Sequence, residues 1–578
     1  MSKQRRGKEL TKKAIADRYG IPESLLKKYL PAPRKVKNSQ YASAEPTLLW
    51  REVDVQYAIR YIPEVRRANK RKEAKKKQQE QKSEDAIRFL EQFSPEMLFQ
   101  AGSELRRHFI LHVGPTNSGK TYQALQALKE AENGVYLGPL RLLALEVMEK
   151  LNADGCLCSL LTGEESIEIP GAEKTASTVE LCNYQEHYKV AVIDEAQMIE
   201  DHFRGPHWAR AISLVDAEEV HICLAPAAEP FLRSVAERMD PDYEVIYHER
   251  LVPLEFKGLF RDIDAVEPGD ALIAFSRKKV LQIAAELERK NIMASVIYGS
   301  LPPSSRREEV RRFSEKETTV VVATDAIGMG ISLPIRRIIF TETEKYDGVR
   351  GRSLNKSEIK QIAGRAGRFG KYDLGEVLTM SDPRRVAAAL REEEKPLEKL
   401  TIGFPTEALE YDRPLKDMLN FWDTLPKNDL FIREDMRDAE FLLGKLGKLP
   451  KDVSKAQIFD FITCPLDIKK SELVEYWREC CLRILWGQRI LKPYFPEDNL
   501  EHCELKYHAY DIYHQLLRRI GVEDDCMAEK DRLSERINAF LKEEKSSFLK
   551  HCRICGKEMS IYDRFSICDE CFTKNNEW

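Results

Sequence analysis

The chain has 578 residues, several times the roughly 150 that one hydrophobic core organises, so a single domain is excluded and about four are expected. Hydrophobic residues make up 43% and charged residues 32%, and no apolar run reaches the roughly 18 residues that a spanning helix needs; no membrane partner is expected. The formal charge of −3 is unevenly spread. Residues 1–82 hold 23 Lys and Arg against 9 Asp and Glu, a local +14, which leaves −17 for the rest. A basic arm on an acidic body is the footprint of a polyanion contact, with a solvated helix face as the plainer reading.

The N-terminus shows no apolar leader, and Glu9, Asp17 and Glu23 stand where a transit peptide is poor in acid. Thirteen cysteines is an odd number, and without a secretion signal they read as reduced thiols. A cytoplasmic protein is expected.

In chain order, residues 12–30 read as two short helices joined at Gly20-Ile21-Pro22, with Ala14, Ile15, Leu25, Leu26 and Leu30 facing one small core. Leu49, Trp50, Val53, Val55 and Ile59 extend it, giving a helical module over 1–65, either a helix-turn-helix or a plain hairpin. Residues 66–82 (RRANKRKEAKKKQQEQK) form a basic linker, and 83–107 a helical lead-in. Eight apolar runs then alternate with amphipathic stretches: FILHV, GVYLG, VAVID, HICLA, ALIAF, SVIYG, TVVVA and RIIFT. That rhythm predicts an α/β fold with two tandem parallel-sheet domains, 108–250 and 251–400. Helical spacing dominates 401–545, an all-helical accessory region, and a cysteine-bearing tail occupies 546–578.

The segment from Gly114 through Thr116, Asn117, Ser118 and Gly119 to Lys120 and Thr121 follows a strand and opens a helix. Glycines let backbone N–H groups wrap phosphates at a helix N-terminus, Lys120 supplies a point charge, and the Thr121 hydroxyl reaches Mg²⁺. Asp194 and Glu195 end a second apolar strand. There Asp194 suits Mg²⁺ and Glu195 suits a general base that activates water. In the second α/β domain, Gln361-Ile-Ala-Gly-Arg365-Ala-Gly-Arg368 places two arginines three apart on one helix turn behind a glycine that permits close approach. Such a pair can offset charge on a transferring phosphoryl group.

These three segments resemble a superfamily-two helicase, most closely the RNA helicase of the mitochondrial degradosome and its bacterial relatives. GPLRLLALE, LTGEE, ASTVE, AFSRKK, IYGSLPP and ATDAIGMG are further matches, over about residues 105–400. The resemblance implies two RecA-like domains with ATP between them and single-stranded RNA across both. It places Pro139, Arg141, Thr162 and Thr178 on the RNA from the first domain, and Ser276, Arg277, Gly299 and Thr324 from the second. Asp325, Gln361, Arg365 and Arg368 line the nucleotide side. The chain departs from the family at Leu224-Ala225, where a glycine and an acidic residue are usual, and at Ser332 and Pro334.

In the tail, Cys552-x2-Cys555 and Cys568-x2-Cys571 have the spacing of a tetrahedral four-cysteine site, so a zinc ribbon is expected, with a redox dithiol pair as the alternative. The functional expectation is an ATP- and Mg²⁺-dependent RNA helicase acting on single-stranded or partly duplex RNA in turnover or processing, beside a ribonuclease or a ribosome-associated partner. The rivals are a DNA-directed translocase and a nucleic-acid-binding scaffold with weak ATPase.

Overall fold

The computed structural model describes residues 9–19, 21, 23–33, 35–37, 47–60, 83–163, 165–240, 242–328, 333–346, 350–429, 431–450, 452–522, 526–543, 548–561, 563 and 565–576. The basic linker read at 66–82, the turn residues Gly20 and Pro22, and Ser332 fall outside them. Two units are distinguished, Met1–Glu91 with Glu407–Pro414, and Gln92–Thr406 with Leu415–Trp578.

In the first unit, strand β1 (Glu9–Thr11) leads into helices α1 (Lys12–Tyr19) and α2 (Glu23–Tyr29), then strands β2 (Lys35–Lys37) and β3 (Thr47–Arg51) and helix α3 (Glu52–Ile59). The Thr11 hydroxyl accepts from the N–H of Ala14 and starts α1. Ile15, Ile21, Leu26, Trp50, Val55 and Ile59 form the core. The purely helical reading of this module is corrected: β3 pairs antiparallel with both β1 and β2. Val53, expected in the core, is exposed instead. The Thr-Leu-Leu-Trp run takes up strand pairing before the helix begins at Glu52, so helical spacing cannot be projected back through it. Helix α4, whose described part is residues 83–92, follows.

In the second unit, α5 (Pro95–Ser103) precedes an eight-stranded sheet built from β4 (His108–Val113), β5 (Gly134–Gly138), β6 (Cys158–Leu161), β7 (Ser166–Ile167), β8 (Lys174–Thr178), β9 (His187–Ile193), β10 (Asp216–Leu224) and β11 (Glu244–Tyr247). Its order is β11-β4-β10-β9-β5-β8-β6-β7. All neighbours are parallel except β7 on β6. Helices α6 (Lys120–Glu130), α7 (Arg141–Ala153), α8 (Gly205–Leu214) and α9 (Glu229–Met239) supply the crossovers.

A six-stranded, wholly parallel sheet follows: β12 (Leu254–Leu259), β13 (Asp270–Ile273), β14 (Ala294–Ile297), β15 (Val320–Ala323), β16 (Arg337–Phe340) and β19 (Gly375–Thr379), in the order β12-β19-β16-β13-β15-β14. It carries α10 (Arg277–Arg289), α11 (Pro303–Ser314), α12 (Lys356–Ala363) and α13 (Pro383–Arg391), and a hairpin of β17 (Glu344–Tyr346) and β18 (Gly351–Ser353). Such continuous apolar strands are what a sheet covered on both faces requires. The two sheets are the expected tandem RecA-like lobes.

Beyond them lie α14 (Leu415–Thr424), α15 (Arg437–Leu446), α16 (Lys455–Ile462), α17 (Ser471–Leu485), α18 (Leu500–Arg519) and α19 (Met527–Glu543). Trp422, Phe461 and Trp477 are fully buried among them. The all-helical description needs one correction, because β20 (Leu400–Ile402) pairs in parallel with β21 (Phe431–Arg433). β20 also returns to the first lobe: the Thr401 hydroxyl donates to the Glu200 carbonyl at 3.1 Å, and the N–H of Leu397 donates to the Ala227 carbonyl at 2.8 Å. The tail adds β22 (Lys550–His551) paired with β23 (Glu558–Met559), and α20 (Asp569–Asn576).

Candidate functional site

The carboxyl ends of β4, β9 and β10 converge at the first lobe's crevice, the place where open parallel sheets bind ligands. The chain leaves β4 at Gly114, where a Cβ would lie 2.6 Å from the Ser118 hydroxyl and 2.8 Å from His248; only glycine fits. Asn117 and Gly119 both take positive φ, +62° and +83°, which curls the loop so that α6 starts at Lys120. Among the described residues the buried Ser118 hydroxyl has no hydrogen-bond partner, and Lys120 Nζ donates to the Pro115 carbonyl at 3.3 Å. A buried donor left unmatched inside a loop of this shape fits a phosphate oxygen.

Facing the loop, Asp194 Oδ1 accepts from the Thr121 hydroxyl at 3.1 Å, and Oδ2 from the Tyr136 hydroxyl at 3.0 Å. Trp208 Nε1 donates to the Asp194 carbonyl at 2.9 Å. Burial, then the neighbouring Glu195 charge, pushes the Asp194 carboxyl upward, a penalty that a divalent cation beside Thr121 and Asp194 would relieve. Glu195 sits in the left-handed region at φ +51°, and Gln197 Nε2 donates to Glu195 Oε2. The other end of the Gln197 amide accepts from the N–H of Ala225 at 3.1 Å. Because the backbone of Ala225 makes this bond, it does not depend on the side chain at the position where the chain departs from the family.

Behind the loop runs a file of imidazoles that no spacing in the chain groups together. His112 Nδ1 lies 3.1 Å from His248 Nε2, and His112 Nε2 lies 2.9 Å from His221 Nδ1. Burial, then the two flanking rings, pushes His112 down to about 3, so the file is neutral at physiological pH.

The second lobe meets this loop directly. A Cβ on Gly364 would stand 2.8 Å from Thr116 Cβ, and Asn117 Nδ2 donates to the Gly364 carbonyl at 3.1 Å. Arg250, from the link between the lobes, donates to the carbonyls of Thr116 (3.0 Å), Gly364 (2.9 Å) and Ala366. Burial lowers its guanidinium to about 10. No sequence motif marks Arg250, because its partners are backbone carbonyls.

Arg365 and Arg368 are not on a helix turn: α12 ends at Ala363, and both lie in the turn beyond it. Gly367, at φ +71°, packs against Gly375 and bends the chain there. Arg365 donates from Nε and Nη2 to the Gly328 carbonyl at 3.0 and 2.7 Å. Arg368 is half-buried near Glu146 of α7 in the first lobe. Gln361 packs against Gly328, and Asp325 pairs with Lys345 Nζ at 3.0 Å.

The residues expected on RNA are dispersed in exposure. Thr162, Thr178 and Thr324 are buried, and Thr162 Oγ1 is engaged in its own turn with Glu165. Pro139 is buried and its carbonyl accepts from Arg204. Arg141 is half-buried beside Gly163. Ser276 is exposed and caps α10 through Lys279 N–H, and Gly299 faces open space. Arg277 forms an ion pair with the buried Glu504 of α18 at 3.4 Å, and Tyr298 donates to the same carboxylate at 2.7 Å. A cleft of about 890 Å³ adjoins Arg141 and Thr162, lined by Leu145, Glu165, Arg307, His514 and Arg518. Arg518 reaches the Thr162 carbonyl at 2.8 Å.

Residues 95–248 match the DEXQ-box helicase domain of Suv3, and residues 256–370 match the helicase conserved C-terminal domain. Over those two segments the chain is similar to a Suv3-type helicase core. The mitochondrial ATP-dependent RNA helicase SUPV3L1 of Danio rerio is 35% identical over 446 residues, 71% of this chain and 58% of that protein. The mitochondrial DExH-box ATP-dependent RNA helicase DExH16 of Arabidopsis thaliana is 42% identical over 321 residues, 55% of this chain and 54% of that one. The mitochondrial ATP-dependent RNA helicase SUV3 of Saccharomyces cerevisiae is 42% identical over 284 residues, 48% and 38% respectively. The chain spans about half the length of such relatives. Their names overturn the cytoplasmic placement read from the sequence, since all three are mitochondrial. Reduced thiols separate oxidising from reducing compartments and do not choose among the latter.

The cysteine tail lies outside both matched segments of the Suv3-type core. Its four Sγ atoms, from Cys552, Cys555, Cys568 and Cys571, lie within 4.8 Å of one another, close enough to share one metal ion. The N–H of Cys568 donates to Cys552 Sγ at 3.3 Å. Backbone N–H groups of Cys555 and Cys568 pull the Cys552 thiol down to about 6, so a thiolate is available at neutral pH. Among the described residues this is the one cluster of metal-ligating side chains with convergent geometry.

Proposed function

We propose that this protein is an ATP-dependent RNA helicase that moves along single-stranded RNA and unwinds duplexes in RNA turnover or processing. The observation that carries the reading is the seating of Gly364 on Thr116, tied by Arg250. It sets the second lobe's arginine turn beside the first lobe's phosphate loop. The Suv3-type core supports RNA as the polynucleotide.

In this mechanism Gly114, Thr116, Asn117, Ser118 and Gly119 present N–H groups and the unmatched Ser118 hydroxyl to the phosphates, and Lys120 leaves the Pro115 carbonyl to pair with them. Thr121 and Asp194 would hold Mg²⁺, which when bound neutralises phosphate charge. Glu195, held by Gln197, accepts the proton of the attacking water. Arg365 exchanges the Gly328 carbonyl for phosphate oxygens, with Arg368 beside it. Gln361 holds Gly328 in place, and Asp325 steers Lys345.

For RNA, Pro139, Arg141, Thr162 and Thr178 are assigned to the first lobe, and Ser276, Arg277, Gly299 and Thr324 to the second. Small hydroxyls, backbone groups and arginines grip phosphates without reading bases. In the tail, zinc is the metal proposed for the four cysteines, since thiolates in tetrahedral spacing favour it. The lobes are assigned to 108–250 and 251–400, the accessory region to 401–545 and the ribbon to 546–578.

Purified protein should hydrolyse ATP faster with single-stranded RNA and separate a duplex with a single-stranded tail. Hydrolysis that RNA leaves at its basal rate removes the motor reading.

A further inference from the structure

The N-terminal unit holds a helix pair that the proposed ATP-dependent mechanism does not draw on. Two helices, α1 and α2, lie between β1 and β2 in the chain, and the three strands order as β1-β3-β2 with antiparallel neighbours. A two-helix turn framed by strands in this order has the topology of a winged helix. The helix packing agrees with it. Ile15, Ile21 and Leu26 are buried, with Ala16, Tyr19 and Tyr29 around them, so one side of α2 is fixed in the unit's core.

The opposite side of α2 is cationic. Lys27 and Lys28 are both exposed. Two of the unit's acids are paired: Glu52 with Arg18 at 2.6 Å, and Glu23, at the start of α2, with Lys12 at 3.9 Å. The stretch of chain to which this unit belongs, residues 1–82, is the one that carries the excess of positive charge.

We propose that α2 is a recognition helix and that this unit docks on B-form duplex DNA, anchored by Lys27 and Lys28 on the phosphates. The seven residues of α2 span roughly 10 Å, and a B-form major groove about 12 Å wide admits a helix. The deep, narrow major groove of A-form RNA does not. The proposal stands apart from the helicase reading: the core engages one strand through its lobes, whereas this unit engages a duplex and needs no ATP.

The test uses full-length protein without nucleotide and a blunt DNA duplex, with affinity measured by fluorescence anisotropy over a salt series. Reversing both charges (K27E with K28E) should weaken DNA binding about tenfold or more at fixed salt. It should also lower the log–log salt slope by about 2, because each lost phosphate contact removes about 0.9. The milder K27A with K28A pair should weaken binding less, and thermal melting establishes that both variants fold. Unchanged affinity and slope in folded variants would overturn the proposal. So would binding of blunt duplex RNA that falls as far as DNA binding in K27E with K28E, which would mean that α2 does not select a B-form groove.

Discussion

Gly364 and Thr116 touch across the two lobes at a distance that leaves no room for a methyl group: a Cβ on Gly364 would stand 2.8 Å from Thr116 Cβ and 2.9 Å from the Lys360 carbonyl. Replacing Gly364 with alanine should therefore prise the arginine turn from the phosphate loop. Overpacking of this kind costs about 1–3 kcal/mol. The expected result is a fall of about tenfold or more in the ATPase kcat with nucleotide binding retained, read by turnover and by equilibrium binding of a nucleotide analogue. A G364A variant with wild-type kcat would show that the contact is incidental.

Glu195 and Gln197 should fail in different ways. Glu195→Gln removes the proton acceptor and should lower kcat by about 10²–10⁴-fold, leaving ATP bound. Gln197→Leu removes the bond to Glu195 and the one to the N–H of Ala225. A smaller loss of kcat and a shifted pH–rate profile are expected, since the carboxylate stays but is no longer held. Identical profiles for Q197L and the native protein would count against the link.

Glu434 predicts a pH dependence. Burial, with the Asp423 and Asp435 charges adding to it, pushes this carboxyl up to about 7, against the N–H of Phe404 that donates to it. Its folded value lies above its unfolded one, so the native state binds more protons between them. Stability is then fullest below about pH 4.5 as far as this group is concerned, falls as pH rises through 7, and is level above that. The contribution is about 1–3 kcal/mol. Glu434→Gln should flatten this part of the stability curve and raise the melting temperature at about pH 8. A slope that persists in E434Q assigns it elsewhere.

Glu504 is nearly fully buried at 1% exposure, between Arg277 and Tyr298. Truncation to alanine strands the Arg277 charge and should destabilise the protein by about 3–5 kcal/mol. Limited proteolysis should detect looser packing of α18 on the second lobe. A change under about 1 kcal/mol in denaturant unfolding would argue that water reaches the pair.

A strong chelator should unfold the cysteine tail selectively, since so short a segment buries little apolar surface and depends on its metal for folding. The stacked pair of Phe565 and Phe572, 5.7 Å apart, should separate, and protease should cut after residue 548 while the core stays intact. Strong acidification should also release the metal, as protons compete with it for the thiolates. A tail equally resistant with and without chelator would favour a metal-independent fold.

All eight apolar runs read from the sequence lie on strands of the two sheets, because a strand covered on both faces must be apolar throughout. Strand β8, Lys174-Thr-Ala-Ser-Thr, carries no such run and is invisible to that reading. The N-terminal strands escape it because charged and polar residues interrupt them, as in Glu9-Leu-Thr and Lys35-Val-Lys. At the site, the phosphate loop and acidic pair are legible because their chemistry resides in side chains and glycines. Arg250, and the bond from the N–H of Ala225 to Gln197, are not. Each depends on backbone groups that every residue possesses, so no residue letter signals them.

The second lobe is moored to the first at both ends of its chain. On entry, the N–H of Leu251 donates to the Asn117 carbonyl at 3.0 Å; on exit, the N–H of Leu397 donates to the Ala227 carbonyl at 2.8 Å. With the chain tied where it enters and where it leaves the lobe, the least costly way to open the crevice is a swing about the line between those two bonds, which parts the Gly364, Asn117 and Arg250 contacts at the far side first.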